Sequence, residues 1–310
     1  MNTHGTATGK IILMGEHAVV YGQPAIALPF LHATVDTSIT KIDTASTIES
    51  QYYSGPLKLA PPILAGINNL IDIALKYLKK ESQQLHIKID STLPAQRGLG
   101  SSAAVSISLV RALFNVFDTK LEDDVLKMLV SHAEKIHHIN PSGLDMNTIA
   151  SGKAIYFEQG KALHAFDINI NAYLVIADTG ILGQTREAVK QVREHYNLNE
   201  EKMGQLIESY GELTKNVMNV LRKGDTQALG QAMNQAQDIL RSFGVSNNTI
   251  EDYIDLALKN GALGAKITGS GMGGCTLALC ETEAVAKHVE EEIKAHGAEN
   301  VWIFDLKELA

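Results

Sequence analysis

A glycine-rich turn running straight into two serines, PAQRGLGSSAA over residues 94–104, is the part of this 310-residue chain best equipped to hold an anion. Gly98 and Gly100 permit backbone angles and close approaches that a Cβ would block. Ser101 and Ser102 fall where a new helix offers unpaired N–H groups and the positive end of its dipole. The plainer alternative is a helix N-cap after a tight turn. The stretch is neither a Walker A loop, which needs GxxxxGK[ST], nor the GxGxxG dinucleotide fingerprint; the nearest Walker-like stretch, Gly5 to Lys10, is one residue short and is followed by Ile11. The protein-kinase HRD and DFG signatures are absent as well.

Three further segments concentrate polar groups in apolar surroundings. GKIILMGEHAVVYGQPAIALP, residues 9–29, delivers Lys10, Glu16 and His17 around a turn at Gly15, although an edge hairpin with surface charges would read the same way. AEKIHHINPSGLDMNT, residues 133–148, ends a helix at Asn140-Pro141 and then presents Asp145, eleven residues after Glu134. Asp145 could equally be the N-cap of a new helix. His137 and His138 are adjacent and point to different helix faces, a poor arrangement for a metal pair. KITGSGMGGCTLAL, residues 266–279, puts Gly269, Gly271 and Gly273 in five residues of loop, with Gly274 next. That density exceeds a hairpin's need and suits a loop packed against another backbone or a phosphate.

The elements that must carry these groups follow from periodicity. Alternation at Leu85, Ile87 and Ile89 predicts a half-buried strand leading into the 94–104 turn, and an amphipathic helix over 101–117 leads out of it. Strands are expected at 10–14, 25–28, 33–42, 153–157, 173–177, 264–268, 275–279 and 301–305. Helices are expected at 61–80, 121–138, 184–196, 200–222, 226–241, 247–260 and 282–296. A mixed α/β first lobe followed by a helix-rich α+β sandwich is the architecture these imply. No repeat, low-complexity tract or Pro/Gly/Ser-rich linker marks the join, which is placed between 150 and 180.

Bulk properties narrow the class. A net charge of −8 and a pI near 5.8 argue against nucleic-acid binding, which usually needs a basic face, so an anionic ligand has to be held locally. Cys275 and Cys280 are too few and wrongly spaced for a disulfide framework or a structural zinc site and read as reduced, buried apolar residues. The N-terminus lacks the pattern of a signal peptide, and no run of 18 apolar residues occurs, so a cytoplasmic protein without membrane partners is expected.

Taken in order, the four segments resemble the GHMP kinase superfamily, named for galactokinase, homoserine kinase, mevalonate kinase and phosphomevalonate kinase. Within it, GKIILMGEHAVVYG, GLGSSAA and the Glu134-to-Asp145 spacing are most similar to the shorter bacterial form of the branch whose acceptor is mevalonate. The resemblance implies a two-lobed α+β fold. Residues 1–165 would form an N-terminal ATP-binding domain of mixed α/β type and residues 166–310 a ferredoxin-like α+β domain, with the active site between them. It implies ATP and mevalonate as substrates and Mg²⁺ as cofactor, with a phosphomevalonate kinase or another small-molecule kinase of the superfamily as the alternative; a homodimer is the one protein assembly expected.

The same resemblance assigns roles. Asp145 would face the substrate hydroxyl with Lys10 beside it, and Pro94, Arg97, Gly98, Leu99, Gly100, Ser101, Ser102, Ala103 and Ala104 would bind ATP. Gly269, Ser270, Gly271 and Gly273 would lie near the phosphates. Ser102 and Glu134 would hold Mg²⁺, while Glu16, His17 and Thr179, the last in an ADTG stretch, would line the substrate pocket with Lys10 and Asp145. Animal members commonly carry Tyr after the GLGSSAA motif; Val105 stands here, so no contact from that side chain is expected. Phosphoryl transfer has a loose transition state, so positioning and charge stabilisation matter most. A carboxylic acid of ordinary pKa, about 3.9, is a weak base for an alcohol. Asp145 is therefore expected to orient the hydroxyl and take its proton late. A non-catalytic sensor of the same fold is the rival from another class, and it should have lost Lys10, Asp145 or Ser102; all three are present.

Overall fold

A computed structural model of the chain describes residues 3–137 and 143–309, and the side chains of all of these except 133–137. Two compact units emerge, and neither is a single stretch of chain. One comprises residues 1–9, 33–94 and 100–152; the other comprises 10–32, 95–99 and 153–310.

The first unit holds the beginning of β1 (His4–Met14), the end of β2 (Ala25–Ile42), the short strands β3 (Thr47–Ser50) and β4 (Tyr53–Pro56), and β5 (Gln84–Ser91). Its strands run in the order β4-β3-β5-β2, with β3 parallel to β5 and the other two pairings antiparallel. Four helices complete it: α1 (Ala65–Leu78), α2 (Ser101–Val116), α3 (Asp123–His137) and α4 (Leu144–Ser151). Their apolar stripes bury Leu70, Ala74, Leu109 and Leu113, and the strands bury Ile39, Ile48 and Ile87, all essentially inaccessible to solvent. β1 crosses α2 so closely that a Cβ on Gly5 would lie 2.2 Å from the Ser108 carbonyl oxygen.

The second unit takes the other halves of β1 and β2 and adds β6 (Ala154–Phe157) and β7 (His164–Phe166), which extend the order as β2-β6-β7. Its second sheet is wholly antiparallel, in the order β11-β8-β10-β9, from β8 (Tyr173–Asp178), β9 (Gly264–Thr268), β10 (Cys275–Cys280) and β11 (Asn300–Asp305). β8, β9 and β10 are mostly apolar because they are buried almost throughout, with Lys266 and Asp178 as the charged exceptions. Against them pack α7 (Thr226–Phe243), α8 (Asn248–Lys259) and α9 (Glu283–Ala295), while α5 (Thr185–Leu198) and α6 (Glu200–Lys223) pack on one another. Side-chain caps start four of these helices at Asn199, Asp225, Asn247 and Thr282, each accepting an N–H from its third residue on. Both cysteines are free and buried. Among the described residues no helix is long and apolar enough to cross a membrane.

Candidate active site

In the second unit the site starts from Lys10, which sits mid-strand in β1 and is only 3% exposed. Its ammonium donates to the Gly98 carbonyl oxygen at 3.0 Å, and its backbone N–H donates to the Leu99 carbonyl at 2.9 Å. One residue thus grips two consecutive carbonyls of the glycine-rich turn. β1 is fixed in its own turn by Thr268 on β9: the Ile12 N–H donates to the Thr268 hydroxyl at 2.9 Å, and that hydroxyl donates to the Ile12 carbonyl at 3.1 Å.

The second glycine loop follows β9 and lies backbone to backbone against the first. A Cβ on Gly269 would come within 2.8 Å of the Gly98 Cα, and one on Gly274 within 2.8 Å of the Arg97 carbonyl oxygen. Gly271 and Gly273 approach the carbonyls of Val245 and Ile181 in the same way. Of the two readings open to this loop from sequence, close packing on backbone is the one with direct geometric support.

Beyond the turn at Gly15, His17 adopts a left-handed backbone (φ 61°), and its Nε2 lies 2.8 Å from the Ser270 carbonyl oxygen. Burial pushes the His17 pKa down from the usual 6.5, against the opposing pull of the Ser270 carbonyl and Glu16. Glu16 itself is fully buried: Lys266 donates to one carboxylate oxygen and the Tyr210 hydroxyl to the other. Lys266 also donates to the Ile267 carbonyl, and burial drives its pKa down while driving that of Tyr210 well up. Thr179 is likewise engaged, its hydroxyl donating to the Gly274 carbonyl at 2.8 Å. Glu16 and Thr179, expected to line a substrate pocket, spend these groups on internal bonds.

Arg97 departs furthest from expectation. It points away from solvent into an ion cluster with Asp178 and Glu299, so its head group is taken up within the protein. The carboxylate partner is 81 residues away in sequence, which no local spacing reveals.

The first unit, taken by itself, holds two helix starts among the sequence-predicted residues. Gly100, left-handed at φ 76°, ends the turn and α2 begins at Ser101 without a side-chain cap. The first intrahelical bond runs from the Ala104 N–H to the Gly100 carbonyl, which leaves the N–H groups of residues 101–103 without helical partners. Ser102 is exposed there, while Ala103 and Ala104 are buried against the core. Asp145 lies in the first turn of α4, half-buried, after a second left-handed glycine, Gly143. It is not an N-cap; that position belongs to Gly143, whose carbonyl takes the Asn147 amide and backbone N–H. Arg111 on α2 steadies this corner by donating to the carbonyls of Thr6 and Ala150. The Glu134 side chain and the Asn140-Pro141 turn lie outside the described residues.

Sequence reasoning missed Lys266, Tyr210 and Asp178. Lys266 carried a signal, a lone cation in the apolar strand Gly-Ala-Lys-Ile-Thr.

With two glycine loops joined through backbone and a buried lysine clamped onto one of them, the site has the makings of a phosphate-handling enzyme. The family description "GHMP kinases N terminal domain" matches residues 69–153 and "GHMP kinases C terminal" matches residues 217–299. The chain belongs to the GHMP kinase family. Among its relatives, the mevalonate kinase of Thermococcus sibiricus is 31% identical over 302 residues, covering 90% of this chain and 89% of that one. Among solved structures, mevalonate kinase from methicillin-resistant Staphylococcus aureus is 31% identical, with a TM-score of 0.77 and 98% of both chains covered. The L. major mevalonate kinase in complex with R-mevalonate is 25% identical, with a TM-score of 0.85 over 98% of this chain and 96% of that one.

Proposed function

We propose that this chain transfers the γ-phosphoryl group of ATP to the 5-hydroxyl of mevalonate, giving 5-phosphomevalonate and ADP. The observation that carries the reading is the Lys10 ammonium held 3.0 Å from the Gly98 carbonyl, a buried cation built onto the backbone of the glycine-rich turn. Relatives of near full length that bear the mevalonate kinase name support the choice of acceptor. Family matches on either side of residue 165 support a partition into an ATP-binding part, 1–165, and a C-terminal part, 166–310.

In this reading the unpaired N–H groups at the start of α2 and the 94–104 turn receive the ATP phosphates. Asp145 orients the mevalonate hydroxyl. As its oxygen bonds to the γ-phosphorus and the bond to the ADP oxygen breaks, the hydroxyl proton passes to the Asp145 carboxylate. Lys10 stabilises the charge that develops on the reacting oxygen and the transferring group. His17, Glu16 and Thr179 shape the acceptor pocket, with His17 as the member nearest to presenting a free ring nitrogen.

Ser102 and Glu134 would hold Mg²⁺. A hydroxyl and a carboxylate are hard oxygen donors of the kind taken by Mg²⁺, which ordinarily relies on phosphate oxygens plus one or two protein oxygens. Held there, it would supply positive charge to offset that of the ATP phosphates.

A coupled assay of ADP release with mevalonate, phosphomevalonate, galactose and homoserine tests the proposal. Mevalonate should be preferred by orders of magnitude. A comparable rate on another acceptor overturns the assignment, and ligand binding without turnover on any acceptor indicates a sensor.

A further inference from the structure

A guanidinium in the middle of a phosphate-binding turn is ordinarily read as a phosphate ligand. The surroundings of Arg97 say otherwise. Its Nε donates to Asp178 Oδ1 at 2.7 Å, and its Nη2 donates to the Gly180 carbonyl and to Glu299 Oε2, both at 3.0 Å. Nη1 is enclosed, with no acceptor among the described residues, and the side chain is only 9% exposed. Two carboxylates already face this single cation, one of them fully buried and further held by the Gly180 N–H at 2.9 Å. The cluster has no net positive charge to offer a triphosphate and no donor facing outward.

What the cluster does control is the backbone beside it. The Gln96 carbonyl accepts the Gly183 N–H at 2.7 Å, the Arg97 carbonyl faces Gly274, and the next two carbonyls are those that hold Lys10. Gln96 and Gly98 both take left-handed angles, φ 57° and 78°, so this turn needs outside constraint to keep its shape. We propose that Arg97 is a positioning residue and not a phosphate ligand: anchored by Asp178 and Glu299, it fixes the turn at 97–99 and so aims the Lys10 ammonium through the Gly98 carbonyl. This rests on the reading of Lys10 as the cation that serves phosphoryl transfer.

Asp178→Asn removes the anchor while keeping the guanidinium. The expected result is a loss of about tenfold or more in kcat at saturating ATP, with the nucleotide Kd, measured by calorimetry, within about threefold of wild type. A Kd loss larger than the kcat loss, or no change in either, overturns the proposal. A readout that needs no turnover separates this inference from the choice of reaction: amine labelling of the folded protein, mapped by mass spectrometry. Lys10 should label at least about tenfold faster in Asp178→Asn than in wild type, with other lysines unchanged; an unchanged Lys10 rate overturns the inference even if mevalonate is the acceptor. Because a lone buried arginine can prevent folding, Glu299→Gln, at the half-exposed end of the cluster, is the second variant. It should show the same pattern at two- to threefold in kcat and in Lys10 labelling, and wild-type values for both overturn the proposal.

Discussion

Asp145 and Ser102 carry the sharpest tests at the scale of single residues, since neither is needed for the core. Asp145→Ala should lower kcat by about 10²-fold or more if it handles the hydroxyl proton. Ser102→Ala should raise the Mg-ATP concentration needed for half-maximal rate, and unchanged nucleotide kinetics would remove it from the metal's ligands. His17 gives a prediction about pH. Its folded-state pKa lies below the usual 6.5, so as the pH falls through 6.5 the unfolded chain takes up a proton that folded His17 refuses. Stability is then lost at up to about 1.4 kcal/mol per pH unit until the folded pKa is reached. Urea unfolding at about pH 7.5 and 5.5 should show a larger drop for wild type than for His17→Gln.

At the scale of elements, the contact between the two glycine loops can be separated from the cost of left-handed backbone. Gly22 and Gly269 have nearly the same angle, φ 82° and 83°, but a Cβ on Gly22 meets nothing within 4 Å, whereas one on Gly269 meets Gly98 at 2.8 Å. Gly22→Ala should cost about 1–2 kcal/mol from backbone strain alone. Gly269→Ala should cost more, and should also slow turnover, because Gly98 holds Lys10. Thermal unfolding and steady-state rates of the two variants decide this. Long periodic elements are legible in the sequence itself: α2, α6, α7 and β5 fall within two residues of expectation. Two strands are expected, at 25–28 and 33–42, where β2 is continuous through Pro29; that residue lies outside the pairings with β6 and β5, which cover 25–27 and 35–42. β3, β4, β7 and α4 escape such a reading, being three to eight residues long and mostly polar or near glycine, too short for a period to show. The candidate site is legible as four segments, whereas the partners of Glu16 and Arg97 are not, because ion pairs across 250 and 202 residues leave no local pattern.

At the scale of the molecule, the buried group of Glu16, Lys266 and Tyr210 ties the turn after β1 to β9 and α6, three parts of the chain far apart in sequence. Lys266→Met leaves a carboxylate buried without its counter-charge and should cost about 3–5 kcal/mol, while Glu16→Gln with Lys266→Met should recover much of that loss. Denaturant midpoints of the single and double variants measure the coupling directly. The long span of β1's bonds also bears on how the protein is made. Lys10 cannot find the Gly98 carbonyl, nor Ile12 the Thr268 hydroxyl, until 88 and 256 further residues have been added. At about 5–20 residues per second, the second partner leaves the ribosome roughly 10–50 seconds after the strand that needs it. For that interval Ile11, Leu13 and Met14, which end fully buried, belong to a nascent strand still lacking its final neighbours. Synthesis at low temperature or with abundant chaperones should therefore raise the soluble yield more than any change to the finished surface.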